Sequence, residues 1–151
     1  MMSPSAQDLA LALLTNAQAR GNALNKTKLL KLMYLADIEH FRVQRKTLTG
    51  FDWIFFLYGP WAAEYDTLIA DLERRDLIEI ESWESGNLSG ERLRSREDRK
   101  LESVLESTTE YFRVKHQVEA WSDKSLSELL DYVYFDTDPM RDAVSLGVCR
   151  S

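Results

Sequence analysis

The sequence predicts an α+β domain, predominantly helical, with about five helices and a small antiparallel sheet made of one aromatic strand plus a hairpin. Three observations carry this. Apolar residues recur at helical spacing in separate segments bounded by capping residues. The run Phe51 to Tyr58 reads Phe-Asp-Trp-Ile-Phe-Phe-Leu-Tyr, rich in β-formers and of strand length. Ile78 and Ile80 alternate with Glu79 and Glu81 ahead of a polar, glycine-containing turn and a basic return, the pattern of a hairpin. At 151 residues, 44% of them apolar, the chain has material for one core and is expected to form a single domain over residues 1–151.

The first helix is expected from about Ser5 to Arg20. Ser5 and Asp8 stand in S-x-x-D capping spacing, Leu9, Leu13, Leu14 and Ala17 form its stripe, and Gly21 ends it. The second starts after Asn25, a good N-cap, and runs to about Arg42. Its apolar residues cover nearly the whole circumference, which marks the central helix of the fold. The aromatic strand follows, closed by Gly59-Pro60, with Pro60 placed at the first position of a third helix that reaches about Arg75 through Trp61, Tyr65, Leu68, Ile69 and Leu72. The hairpin spans Leu77 to Ser95, with Arg92 and Arg94 set across from Glu79 and Glu81. A fourth helix is expected from about Glu97, with Leu101, Val104, Leu105, Thr108 and Phe112 in step. A fifth starts at about Ser125, where Glu128 completes an S-x-x-E box ahead of Leu129, Leu130 and Val133, and Asp138-Pro139 breaks the pattern.

Net charge is -6 and the isoelectric point about 5.0, so the overall field repels phosphate backbones and anionic lipid. The distribution is uneven. Residues 20–46 hold seven bases against two acids, net +5, whereas residues 64–110 hold 14 acids against seven bases, net -7. The two segments are either complementary faces within one fold or a means of selecting a charged partner. The single cysteine, Cys149, leaves no internal disulfide framework and suits a reducing compartment. The start Met-Met-Ser-Pro-Ser has no basic stretch of a secretion signal, and no apolar run approaches the roughly 20 residues of a membrane span. The expected location is the cytoplasm, with no membrane contact.

Catalysis needs a convergent set of titratable groups, and the inventory is thin. His40 lies on the packing face of the central helix and reads as a core histidine; His116 reads as a surface one. No metal-binding spacing is present, so no metal, no cofactor and no enzymatic activity are expected. DNA binding through a winged-helix-like module is the alternative. Its reading helix, Pro60 to Arg75, presents Glu64, Asp66, Asp71 and Glu73 against Arg74 and Arg75, and its hairpin carries four acids for two bases, the wrong balance for phosphate. That alternative therefore rests on Lys26, Lys28 and Lys31. These lysines crowd the start of the central helix, where the macrodipole favours anions, so something negative is expected beside them: the fold's own acidic half or an anionic group on a partner.

Residues 28–37, Lys-Leu-Leu-Lys-Leu-Met-Tyr-Leu-Ala-Asp, followed by Leu48-Thr49-Gly50 and by Tyr58-Gly59-Pro60 ahead of an amphipathic helix, resemble the Panacea domain of SocA-like antitoxins, a domain also found in phage-associated proteins. The likeness extends over roughly residues 5 to 140. It implies a mainly helical domain with a small sheet that neutralises a cognate toxin by direct protein contact, and in one branch delivery of that toxin to an ATP-dependent protease. The late Ser/Thr-His pair common in the family has no counterpart in the stretch Tyr134 to Met140. Independently of the resemblance, 4 Trp, 6 Tyr and 6 Phe, dense around residues 51–65, suit an interface, because aromatic anchors dominate interface energies. The expected partner-binding residues are Lys28, Lys31, Tyr34, Asp37, Tyr58 and Trp61. Of these, Tyr34, Asp37, Tyr58 and Trp61 are expected to form a partly exposed patch.

Overall fold

The structure is a computed structural model that describes residues 4–56, 59–105, 108–122, 124 and 128–129. Two helices make its centre, α1 (Pro4–Ala19) and α2 (Lys26–Gln44). Ser5 lies inside α1 rather than capping it, and the Asp8 carboxylate takes the Arg99 guanidinium at 2.8 Å. Burial goes beyond the expected stripe: Ala10, Leu11 and Ala12 are covered as fully as Leu9, Leu13 and Leu14. The helix ends as Gly21 dictates. At a φ of +77°, Gly21 lets its own N–H reach Gln18 and the next N–H, of Asn22, reach Ala17 at 2.8 Å, a Schellman closure.

α2 starts where Asn25 predicts, its side chain accepting from the Lys28 N–H at 2.7 Å, a cap worth about 1 kcal/mol. Leu29 through Asp37 are all buried, so the helix apolar on nearly every side is indeed surrounded on nearly every side. The aromatic run differs from its prediction as one long strand. Among the described residues of that run the strand is β1 (Ile54–Phe56), paired antiparallel with β2 (Gly59–Trp61), Phe55 opposite Pro60. Pro60 therefore does not open the next helix. It sits in the edge strand of a two-stranded ladder, where a missing N–H is tolerated, and α3 (Ala63–Arg74) begins after it.

α3 buries Tyr65, Leu68, Ile69 and Leu72 in the expected phase. It closes with the same motif as α1, but Asp76 holds the left-handed position at a φ of +61°. β3 (Ile78–Ser85) and β4 (Leu88–Ser95) form the predicted hairpin around Gly86-Asn87, with Glu79 opposite Arg94 and Glu81 opposite Arg92. Leu93 ties β4 to the α1–α2 loop, donating its N–H to Leu24 at 2.8 Å.

The predicted fourth helix divides into α4 (Leu101–Val104) and α5 (Thr108–Ser122) because Leu105 is extended. The break resets the helical phase: Val114 and Val118 face the core, and Phe112, expected there, is 60% exposed. α5 runs antiparallel to α2, its end beside Lys28 and its middle beside Glu39. The predicted helix from Ser125 lies, apart from Glu128 and the buried Leu129, outside the described residues, as does Cys149.

Candidate functional site

Asp37 is a spatial centre for the motif residues but is not exposed: it is 2% accessible. Its carboxylate accepts from the Leu48 N–H at 2.9 Å, the Thr49 N–H at 3.1 Å, the Thr49 hydroxyl at 2.5 Å and the Trp53 indole N–H at 2.9 Å. Burial pushes the carboxyl pKa up, and these four donors pull it back toward the ionised form. Thr49 relays the grip, because its hydroxyl also accepts from the Phe51 N–H at 3.0 Å. Gly50 follows at a φ of +70°, a conformation that favours glycine. Each residue of Leu48-Thr49-Gly50 thus has a task in turning the chain back over α2.

Trp53 is held from two sides. Asp37 takes its N–H, and Tyr34, itself 2% exposed, meets its ring edge-on with centroids 5.4 Å apart. Phe51 contacts the same indole at 5.6 Å. The partly exposed patch expected of Tyr34 and Asp37 is therefore corrected to a buried cluster. The two side chains share a face, as their spacing requires, but the segment 48–53 covers that face.

The lysines find their partners inside the fold. Lys31 is 4% exposed, and its ammonium donates to the Pro60 carbonyl at 2.5 Å; burial lowers its pKa to about 8. Lys28 donates to the Ser122 and Lys124 carbonyls, both at 2.6 Å, so the negative element beside the start of α2 is the carboxyl end of α5. Lys26 lies 3.7 Å from Glu91 of the acidic hairpin, and its carbonyl accepts from the Tyr65 hydroxyl at 2.6 Å. The three lysines on which DNA binding would rest are thus all engaged.

Lys28, Lys31, Tyr34 and Asp37 stand three residues apart, and each step turns about 60° backwards around a helix of about 100° per residue. The four side chains fan over half of α2 and bind the α5 end, β2, Trp53 and the Leu48–Thr49 turn in succession. Trp61 is half-buried against the core, and Tyr58 lies outside the described residues. Sequence reasoning did not count Thr49, Trp53 or Glu39 among the candidate site residues, although Thr49 stood in the Leu48-Thr49-Gly50 motif. Glu39, 5% exposed, joins α2 to α5 through Gln117 at 3.3 Å and Arg113 at 3.7 Å, and pairs within α2 with Arg42 at 3.0 Å. A carboxylate on the apolar side of a helix was the available signal for it. His40 is buried with Nδ1 donating to the Lys46 carbonyl at 2.7 Å, and His116 is exposed. Among the described residues no group of three or more His, Cys, Asp or Glu is placed to hold a metal ion, and no helix is long and apolar enough to cross a membrane.

These features define a helical domain whose polar motif residues point inward and brace a short aromatic hairpin against the central helix. Residues 29–138, well over half of the chain, match the family model described as antitoxin SocA-like, Panacea domain, and the chain belongs to that family. The match takes in Lys31, Tyr34, Asp37, the Leu48–Gly50 turn and Gly59-Pro60. No curated protein and no solved structure matches the chain.

Proposed function

We propose that this protein is a non-enzymatic antitoxin of a toxin-antitoxin system, acting in the cytoplasm, that neutralises a cognate toxin by direct protein-protein binding. Family membership supports an antitoxin-type role. The observation that carries the binding mode is the inward use of the motif: the Asp37 carboxylate and the Lys31 ammonium are buried and hydrogen-bonded, so neither presents a charge to a substrate. What such a motif supports is a fixed surface. In this reading Trp61 and Tyr58 contribute to toxin contact, while Lys31, Tyr34 and Asp37 brace Pro60, Trp53 and the Leu48–Thr49 turn against α2, and Lys28 ties α2 to the end of α5.

The test is co-expression with the product of the adjacent gene. Growth arrested by that product alone is expected to recover when this chain is present, and the two proteins are expected to co-purify. A harmless neighbour, or persistent arrest with both proteins soluble, overturns the reading. Toxin half-life separates two forms of it: occlusion leaves the half-life unchanged or longer, and delivery to an ATP-dependent protease shortens it.

A further inference from the structure

The face of the β3–β4 hairpin turned away from the core carries a tryptophan. Ile78, Ile80 and Leu93 mark the inner face by their burial, which puts Trp83, Gly90, Arg92 and Arg94 on the outer one. Trp83 lies across Gly90, its cross-strand partner, so closely that a Cβ there would come within 2.9 Å of the indole. The Arg92 guanidinium lies over the same indole, 5.5 Å from the ring centroid. Leu88, diagonal to Trp83 on the same face, is 68% exposed.

Arg92 is the unmatched charge of this face. Glu81 stands opposite it in register but pairs with Arg94 at 3.8 Å, and Glu91 pairs with Lys26 at 3.7 Å. Among the described residues no carboxylate lies within ion-pair distance of Arg92, whereas Arg96 has both Asp76 at 3.5 Å and Glu79 at 3.8 Å. Two cavities meet at Arg92 along the α1–α2 loop. One, about 310 Å³, is lined by Gln18, Asn22, Glu81 and Arg94; the other, about 440 Å³, by Leu24, Asn25, Trp83 and Glu91. Their shared wall is fixed, because Leu93 bonds Leu24 and the Ser95 N–H donates to Gln18 at 2.6 Å.

We propose that this trough docks an extended segment of a protein partner carrying a carboxylate beside a large apolar side chain. The carboxylate pairs with Arg92 through guanidinium donors left unused by the stacking, and the apolar side chain covers Trp83 and Leu88. In the cell that partner is the toxin, so the assignment of the partner rests on the antitoxin reading; the chemistry of the trough does not.

Two arms keep the readings apart. In the first, the full chain labelled for NMR is titrated with an acetylated, amidated Glu-Leu-Glu-Phe peptide. The Trp83 indole N–H and the Arg92 Nε–H are expected to shift saturably, and the Gln-Leu-Gln-Phe peptide is expected to shift them far less. Equal shifts with both peptides, no shift, or the same shift with inorganic phosphate overturns the proposal. In the second, toxin affinity is measured for Arg92→Gln, Leu88→Ser and Gly90→Ala, which leave the buried residues in place. A loss of about tenfold or more at Arg92→Gln, with an unchanged melting temperature, is expected. Peptide shifts without any toxin binding by the wild type leave the trough standing and remove the antitoxin reading. Full toxin affinity in all three variants removes the trough.

Discussion

The indole N–H of Trp53 donates to Asp37 at 2.9 Å, and so a residue on the aromatic segment is tied to the tenth residue of the motif-bearing stretch that begins at Lys28. The other carboxylate oxygen holds the Leu48 and Thr49 N–H groups, so no acceptor lobe of Asp37 faces solvent.

Asp37→Asn is expected to cost about 1 to 3 kcal/mol, because an amide NH₂ replaces an acceptor that now meets at least one N–H donor. Urea unfolding measures it. In the Trp53→Phe background, where the indole donor is gone, the same substitution is expected to cost less, and additive costs in that double-mutant cycle would count against the geometry.

Lys31 sets a pH signature. Its folded pKa of about 8 lies below the unfolded value of 10.5. Below pH 8 both states hold the proton and the burial penalty is complete. Between pH 8 and 10.5 the folded state releases the proton while the unfolded state keeps it, so stability rises with pH through that window, by at most about 3 kcal/mol. Lys31→Met is expected to be the more stable protein at pH 7 and to lack this rise. Parallel pH profiles for the two proteins would be the contrary result.

Lys28 is expected to matter for stability. Lys28→Ala removes two charge-assisted hydrogen bonds, to the Ser122 carbonyl at the end of α5 and to the Lys124 carbonyl beyond it, and is expected to cost about 1 to 2 kcal/mol. Hydrogen exchange localises the effect: protection falls first in the final turn of α5, and a change spread evenly over the chain would be evidence against this contact.

Asp76 holds a left-handed position that glycine fills at the end of α1. Asp76→Gly relieves that backbone strain and loses only an exposed pairing with Arg96 at 3.5 Å, which is worth little. A net gain of about 0.5 to 1 kcal/mol is expected, read as a higher melting temperature. A decrease would show that the Arg96 contact outweighs the backbone term.

Periodic burial and capping were legible in the sequence. Asn25, Gly21 and the alternation of Ile78 and Ile80 each encode a local decision, and each was realised locally. The family motif was equally visible as a string of residues. Its direction was not, because whether Asp37 looks outward or inward depends on Leu48 to Trp53 folding back over it, a contact between segments. The break at Leu105 was hidden for a related reason: Leu101, Val104 and Leu105 fit a continuous helix, and packing of α4 and α5 on different neighbours overrides that propensity. The role of Trp83 was masked by the acidic residues around it, and Gly90 opposite was the signal that an aromatic ring needs the space.

The backward-turning series on α2 separates two kinds of evolutionary constraint. Lys28, Tyr34 and Asp37 answer to partners inside the same chain, so exchanging any of them endangers folding whatever protein is to be bound, and the Lys31 ammonium is likewise turned inward, onto the Pro60 carbonyl. Exposed positions such as Leu88, Phe41 and Phe112 carry no such obligation, and substitutions there fall in the class that shifts stability by only about 0.5 kcal/mol. A domain built this way can trade one recognition surface for another while its interior spelling stays the same.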